Sequence, residues 1–254
     1  MLTGAVLLVH CAARAPAPAP AAQQPEPPPQ PSVAVSTPAT ATATASTAKT
    51  EPPPARAPRR YQVAALGDSL TDPRSGGGKY LDYLRERCPK SRFDGYGKGG
   101  DMVNQMRKRF IAAARGGAGY SHVIVFGGVN DVLSDKTAHR TPAKIGADLT
   151  AIYGAARGNG AKLVAITVAP WGAFRDYNPE RAEATRTVNR WIKEQLVNGA
   201  IDFVVESGPV LACGDPERLC PRFAGQFKDG IHFGAEGHAA LGAALYEQVF
   251  KDCE

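Results

Sequence analysis

The sequence predicts a three-layer α/β/α domain, built on a five-stranded parallel sheet and occupying residues 61–254. Three observations predict it. Short strand-like runs alternate with longer segments of helical period from Tyr61 onward. The first of them, Val63-Ala64-Ala65-Leu66, is apolar without a break and long enough for a buried strand. Neither an internal repeat nor a linker-like break divides the region, so one domain suffices.

In chain order the strands are expected at Gln62–Leu66, Arg92–Tyr96, His122–Phe126, Lys162–Val168 and Ile201–Val205. Helices are expected near Lys79–Arg87, Met102–Ala114, Pro142–Arg157, Glu180–Val197 and Ala235–Lys251. Apolar recurrence such as Ile145, Leu149, Ile152 and Tyr153 carries the helix assignments.

The chain before residue 61 is physically different, holding 13 of the 21 prolines ahead of Arg59. Residues 12–60 are rich in Pro, Ala, Thr, Ser and Gln, which bury too little apolar surface to offset their ordering entropy. A disordered linker is expected there. Residues 1–11 contain Ala5-Val6-Leu7-Leu8-Val9, far too short to span a bilayer but similar to the apolar core of a secretory signal, without the usual preceding basic residue. Leu8-Val9-His10-Cys11 resembles a bacterial lipoprotein cleavage site with Cys11 as the lipid-bearing residue, although His10 departs from the small residue preferred there. Export is expected, to a periplasmic or cell-surface location, with Cys11 as a candidate membrane tether.

The net charge of +6 does not indicate a nucleic-acid partner, because half of it lies before residue 61 and the rest is spread over the domain without a long basic run. Besides Cys11 there are four cysteines, an even number that permits two disulfides in an exported chain. Cys213 and Cys220 flank a short loop and are the easier pair; Cys88 with Cys253 would then tie an early helix to the C-terminus. Four reduced thiols are the alternative. No spacing makes a zinc site.

The candidate chemistry sits at strand ends. Ser69 follows the first strand in Gly67-Asp68-Ser69-Leu70, where open α/β sheets place their ligands, although that tetrapeptide alone is equally a turn. Gly95-Tyr96-Gly97-Lys98-Gly99-Gly100 matches the dinucleotide fingerprint. Its strand is short and polar, however, and no acidic residue stands about 20 positions on, so the match is rejected. A bare N–H there suits an oxyanion donor or a simple turn. Gly76-Gly77-Gly78-Lys79 lacks the Ser or Thr of a phosphate loop, having Tyr80 instead, and reads as a lip beside Ser69. Asn130, in Gly128-Val129-Asn130-Asp131, offers a side-chain amide at the end of the third strand.

Asp229 stands three residues before His232 on a turn leading into the last helix, an arrangement in which a carboxylate holds one imidazole nitrogen while the other faces outward. His238 is expected to seat the last helix, and Asp72 and Asp131 to brace loops. Trp171, Phe174 and Tyr177 after the fourth strand are candidates for a substrate wall or for loop packing.

Taken in order, the blocks around Ser69, Gly97, Asn130 and Asp229-Gly230-Ile231-His232 resemble the SGNH hydrolases, also called the GDSL esterase/lipase family, over residues 61–252. The resemblance implies a flavodoxin-like SGNH fold and a catalytic domain over 61–254. It also implies Ser69 as nucleophile, His232 as general base, Asp229 as its orienter, and an oxyanion hole of the Ser69 and Gly97 N–H groups with the Asn130 amide. Gly95 stands where many members have Asn and Gly99 where Ser is common, so Gly99 stays open beside Gly97. The chemistry needs no metal and no cofactor. The partner implied is an ester of a carbohydrate or a lipid: a short-chain or acetyl ester on cell-wall or extracellular carbohydrate, with a lysophospholipase or thioesterase activity, or a non-catalytic carbohydrate-binding module, as alternatives.

Overall fold

The computed structural model describes residues 58–254. The leader-like segment with Cys11 and the Pro/Ala/Thr-rich stretch through residue 57 lie outside the described residues. The expected linker end at Arg60 falls inside the fold, because Arg59 is paired to the C-terminus: its N–H donates to the Asp252 carbonyl at 2.8 Å, and its own carbonyl accepts from Glu254 N at 2.8 Å.

Five parallel strands form the sheet, β1 (Gln62–Gly67), β2 (Arg92–Gly97), β3 (His122–Phe126), β4 (Lys162–Ile166) and β5 (Phe203–Val205), in the order β2-β1-β3-β4-β5. Between them run α1 (Lys79–Arg87), α2 (Val103–Ala113), the short α3 (Val129–Leu133), α4 (Pro142–Gly158) and α5 (Pro179–Val197). After β5 come α6 (Ser207–Leu211), a small antiparallel hairpin of β6 (Ala212–Cys213) and β7 (Asp215–Leu219), and α7 (Ala235–Leu245), which continues as a π turn over Tyr246–Phe250. α1 packs on α7 while α2, α4 and α5 pack side by side, giving the two helical layers.

The burial pattern explains the sequence pattern. In β1 and β3 every residue but Gln62 is buried, as parallel strands covered on both faces require. β2 is polar because it is an edge strand, burying Phe93 and exposing Arg92. β4 ends at Ile166, earlier than expected, since the Val168 N–H is taken by the Asn189 side chain at 2.8 Å. Thr141 and Asn178 cap α4 and α5, each followed by proline at the first helical position. Strands are added on one side of β1 (β2) and then on the other (β3, β4, β5), so the crevice at the carboxyl ends of β1 and β3 is the topological switch point where such sheets bind ligands.

Two disulfides are present, Cys88–Cys253 across 165 positions and Cys213–Cys220 across 7. In the chain-entropy account the first contributes about 5 kcal/mol and the second about half of that. Replacing Cys88 and Cys253 by serine should therefore lower the calorimetric melting temperature more than replacing Cys213 and Cys220; equal losses would contradict that account. Among the described residues no helix is long and apolar enough to cross a membrane, and no His, Cys, Asp or Glu cluster is arranged to hold a metal ion.

Candidate active site

The turn after β1 is too tight for a side chain at its first position. A Cβ on Gly67 would lie 2.2 Å from Thr71 Oγ1. The chain reverses there because the N–H groups of Thr71 and Asp72 both donate to the Asp68 carbonyl, at 3.1 and 3.0 Å. Ser69 thus stands at the mouth of the β1/β3 crevice, 8% exposed. Its Oγ lies 2.8 Å from His232 Nε2, although 163 positions separate the two residues.

His232 is delivered by the loop ahead of α7. Asp229 Oδ2 is 2.7 Å from His232 Nδ1, and Asp229 Oδ1 accepts the N–H groups of Ile231 and His232 at 3.0 and 2.9 Å. Gly230 makes the loop possible: its φ is 82°, and a Cβ there would come within 2.7–2.9 Å of Ala173 and the Phe174 nitrogen. Burial draws the Asp229 carboxyl upward, but the hydrogen bonds from His232 and Ile231 outweigh it and hold the group below the ordinary carboxylate range. An ionised Asp229 accepts a hydrogen bond from His232 Nδ1–H, an arrangement that turns the Nε2 lone pair to the serine hydroxyl.

Three groups are the candidate oxyanion donors. Among the described residues its own N–H has no protein acceptor. Gly97 presses against the serine loop so closely that a Cβ would sit 2.2 Å from Asp72 N. The Gly99 N–H is already committed to Asp72 Oδ2 at 2.9 Å and the Lys98 N–H to the Gly67 carbonyl at 3.1 Å, so Gly97 and Gly100 are the candidates from this strand end. Asn130 rides in the first turn of α3, a helix the turn-like sequence did not announce. Its Nδ2 donates to the Asp101 carbonyl at 3.1 Å and reaches Asp68 Oδ2 at 3.5 Å. Asp131 beside it accepts from Val103 N at 2.8 Å and Arg140 Nε at 2.7 Å, and Arg140 reaches on to Asp148 at 2.7 Å. That buried network ties α3 to α2 and α4 and so sets where the Asn130 amide points. Asp72 similarly braces its loop through Arg74 and Gly99. The Gly77 backbone closes on the Ser69 carbonyl, with 2.2 Å between that oxygen and a built Cβ.

Asp68 is fully buried. Burial pushes its carboxyl up to about 7, only partly offset by the Leu70 N–H at 2.9 Å and the charge of His232. Because the folded value lies above the ordinary 3.8, the native state is favoured fully below that pH and loses stability as pH rises through about 7. Asp68→Asn removes the ionisation, so it should stabilise the fold by up to about 4 kcal/mol at about pH 8 and by nothing at about pH 4. Urea melts at both values check this; a gain independent of pH would contradict the assignment.

The cleft beside His232 measures about 90 Å³ and is lined by Ser75, Lys79, Gln226, Phe227 and Phe233. Phe227, 54% exposed, meets the His232 ring edge-on at 5.2 Å. Lys79 belongs to the lip expected beside Ser69, whereas Ser75, Gln226, Phe227 and Phe233 were not anticipated, nothing but the nearness of Phe227 to Asp229 in the chain marking them. The structure does not bring Trp171, Phe174 and Tyr177 into this cleft. Trp171 is 1% exposed, donates Nε1 to Thr185 Oγ1 at 3.1 Å, and carries Tyr177 edge-on at 4.8 Å and Phe174 at 6.4 Å. An indole in that position serves to pack the loop. His238, lodged between Tyr80 and Phe233, is held by burial at about 4 and so stays neutral while it seats α7.

Residues 65–240 match the sequence model of the GDSL-like Lipase/Acylhydrolase family. No curated protein matches the chain significantly. Solved structures with the same fold include a GDSL-like lipase from Bacteroides thetaiotaomicron, at 20% identity and TM-score 0.58, covering 74% of this chain and 86% of that one. A lipase/acylhydrolase from Enterococcus faecalis aligns at 17% identity and TM-score 0.61, covering 76% and 97%. A catalytic mutant of an acetylxylan esterase from Geobacillus stearothermophilus aligns at 17% identity and TM-score 0.58, covering 79% and 99%. At these identities the structures speak for the fold alone. The family match spans more than half the chain and runs from the strand before the serine turn into the last helix, and the protein accordingly belongs to the GDSL-like lipase/acylhydrolase family of hydrolases.

Proposed function

We propose that the protein is a serine esterase that removes short acyl groups, acetyl above all, from carbohydrate. The observation that carries this is an unbroken relay from Ser69 Oγ through His232 to Asp229, opening onto a cleft of about 90 Å³. His232 Nε2 takes the serine proton as Oγ attacks the ester carbonyl. The Ser69 and Gly97 N–H groups and the Asn130 amide receive the oxyanion, each donor worth about 2.7–4 kcal/mol in the transition state. The alcohol leaves with the proton from His232, and water then attacks the acyl-enzyme by the same path, with Ser69 regenerated.

The cleft lies on the His232 side of the serine, and a compact acyl ester is the reading proposed beside it. The exposed face of Phe227 offers a platform against which a sugar ring can lie beside the base. One structural neighbour is an acetylxylan esterase, and acetylated glycan is the substrate class proposed here too. Export to an oxidising compartment belongs to the same proposal, since two disulfides persist in such surroundings.

A series of p-nitrophenyl esters tests the acyl preference. kcat/KM is expected to be highest for acetate and to fall steadily with chain length. A maximum at octanoate or beyond would sink the short-acyl reading and favour the lysophospholipase or thioesterase alternative.

A further inference from the structure

A second cavity, of about 490 Å³, is several times larger than the cleft at His232 and plays no part in the mechanism above. It lies at the carboxyl ends of β4 and β5, between α5 and the β6–β7 hairpin. The rings of Pro170, Tyr177, Pro209 and Pro216, contributed by three separate segments, line it. Its rim is charged with both signs. Arg186, Arg190 and Lys193 recur along one face of α5 at helical spacing. Arg186 reaches Glu217 of the hairpin at 2.5 Å, and Lys193 reaches Glu206 at 3.1 Å. Among the described residues Arg190 is held by the Thr187 hydroxyl at 3.3 Å and by Glu183 at 3.7 Å. Exposed pairs of this kind contribute little to stability, so their donors and acceptors can be exchanged for those of a ligand at small cost.

A lining that combines apolar rings with donors and acceptors of both signs matches a neutral sugar, which presents an apolar C–H face and a border of hydroxyls. The charged groups along the lining disfavour a lipid tail. Placement ties the cavity to the serine. In the strand order, β4 and β5 lie two and three positions from β1, so the cavity begins roughly 10–15 Å along the sheet edge from Ser69. One loop forms the wall between the two. Gly172 N donates to the Glu217 carbonyl at 2.7 Å on the cavity side, and Ala173 and Phe174 back directly onto Gly230 on the His232 side.

We propose that this cavity is a distal subsite that binds the backbone of a neutral glycan chain whose ester, several sugars away, is presented to Ser69. The inference rests on the reading of the substrate as a carbohydrate ester. It predicts that catalytic efficiency grows with glycan length.

The test compares wild type with Arg190→Ala and with the paired change Lys193→Ala/Glu206→Ala, which leaves no charge unpartnered. Substrates are acetylated xylo-, manno- and chito-oligosaccharides from the disaccharide upward, with p-nitrophenyl acetate as the control for the triad. The expected result is a kcat/KM that rises with chain length in wild type and falls by about tenfold on the longest glycans in the variants, through KM rather than kcat. Three results would overturn the subsite: a wild-type rate independent of length, variants as fast as wild type on long glycans, or an equal loss on p-nitrophenyl acetate, which would mean a damaged triad loop. If p-nitrophenyl acetate is hydrolysed but no acetylated glycan is, the carbohydrate reading itself fails and the subsite falls with it.

Discussion

Replacing Ser69 by alanine is expected to lower kcat on p-nitrophenyl acetate by about 10⁴–10⁶-fold and to abolish labelling by a fluorophosphonate probe. The hydroxyl makes its hydrogen bond with His232 Nε2 at 2.8 Å, and its loss leaves that base without a proton to take. The residual rate would come from what alanine retains: the backbone N–H at position 69, the Gly97 N–H and the Asn130 amide. The substitution removes one atom from a nearly buried site, so the melting temperature should stay close to that of wild type. Labelling that survives in Ser69→Ala would move the nucleophile elsewhere. A folded wild type that takes no label would favour a binding module over an enzyme.

The second large effect is expected at Asp229. Asp229→Asn should lower kcat by about 10⁴-fold with little change in KM, the loss associated with a wrong imidazole tautomer. Oδ1 of Asp229 already accepts two backbone N–H groups, from Ile231 and His232. An asparagine keeps its oxygen on those donors and therefore turns its NH₂ toward His232 Nδ1. That nitrogen must then accept, which places the ring proton on Nε2, facing Ser69, where a base is needed. Because the wild-type carboxyl sits below the ordinary carboxylate range, it remains ionised as pH falls, and the Asp229→Asn deficit should persist on the acid side of the profile. A deficit of less than tenfold in single-turnover measurements would contradict this role for Asp229.

How much of this was legible in the chain differs element by element. The central strands could be read because burial on both faces demands unbroken apolar runs, and β1 and β3 have them. The helices α1, α2, α4 and α5 could be read because a long amphipathic element repeats its signal several times. α3, α6 and the β6–β7 hairpin could not, since elements of two to five residues carry less periodicity than a turn does. The aromatic residues after β4 illustrate a different limit. Trp171 is a plausible ligand platform by residue type alone, and only its 1% exposure shows that it packs the loop.

Ser69, Asn130, Asp229 and His232 were identified by local order, because each belongs to a short block at the end of a predicted strand or before a predicted helix. Local sequence determined which residues carry donor, acceptor and nucleophilic chemistry, and it determined that Asp229 and His232 share one turn. The tertiary structure alone decided that Ser69 and His232 meet at 2.8 Å across 163 positions, that Gly99 is spent on Asp72, and that Phe227 stands beside the base. The physical reason is the reach of the interactions. Strand burial, helix period and turn geometry act over a few neighbouring residues and leave their mark in the sequence. Close approach between distant loops depends on how the sheet orders β1, β3 and β4 and on backbone positions too crowded for a Cβ, and neither is written at any single point along the chain.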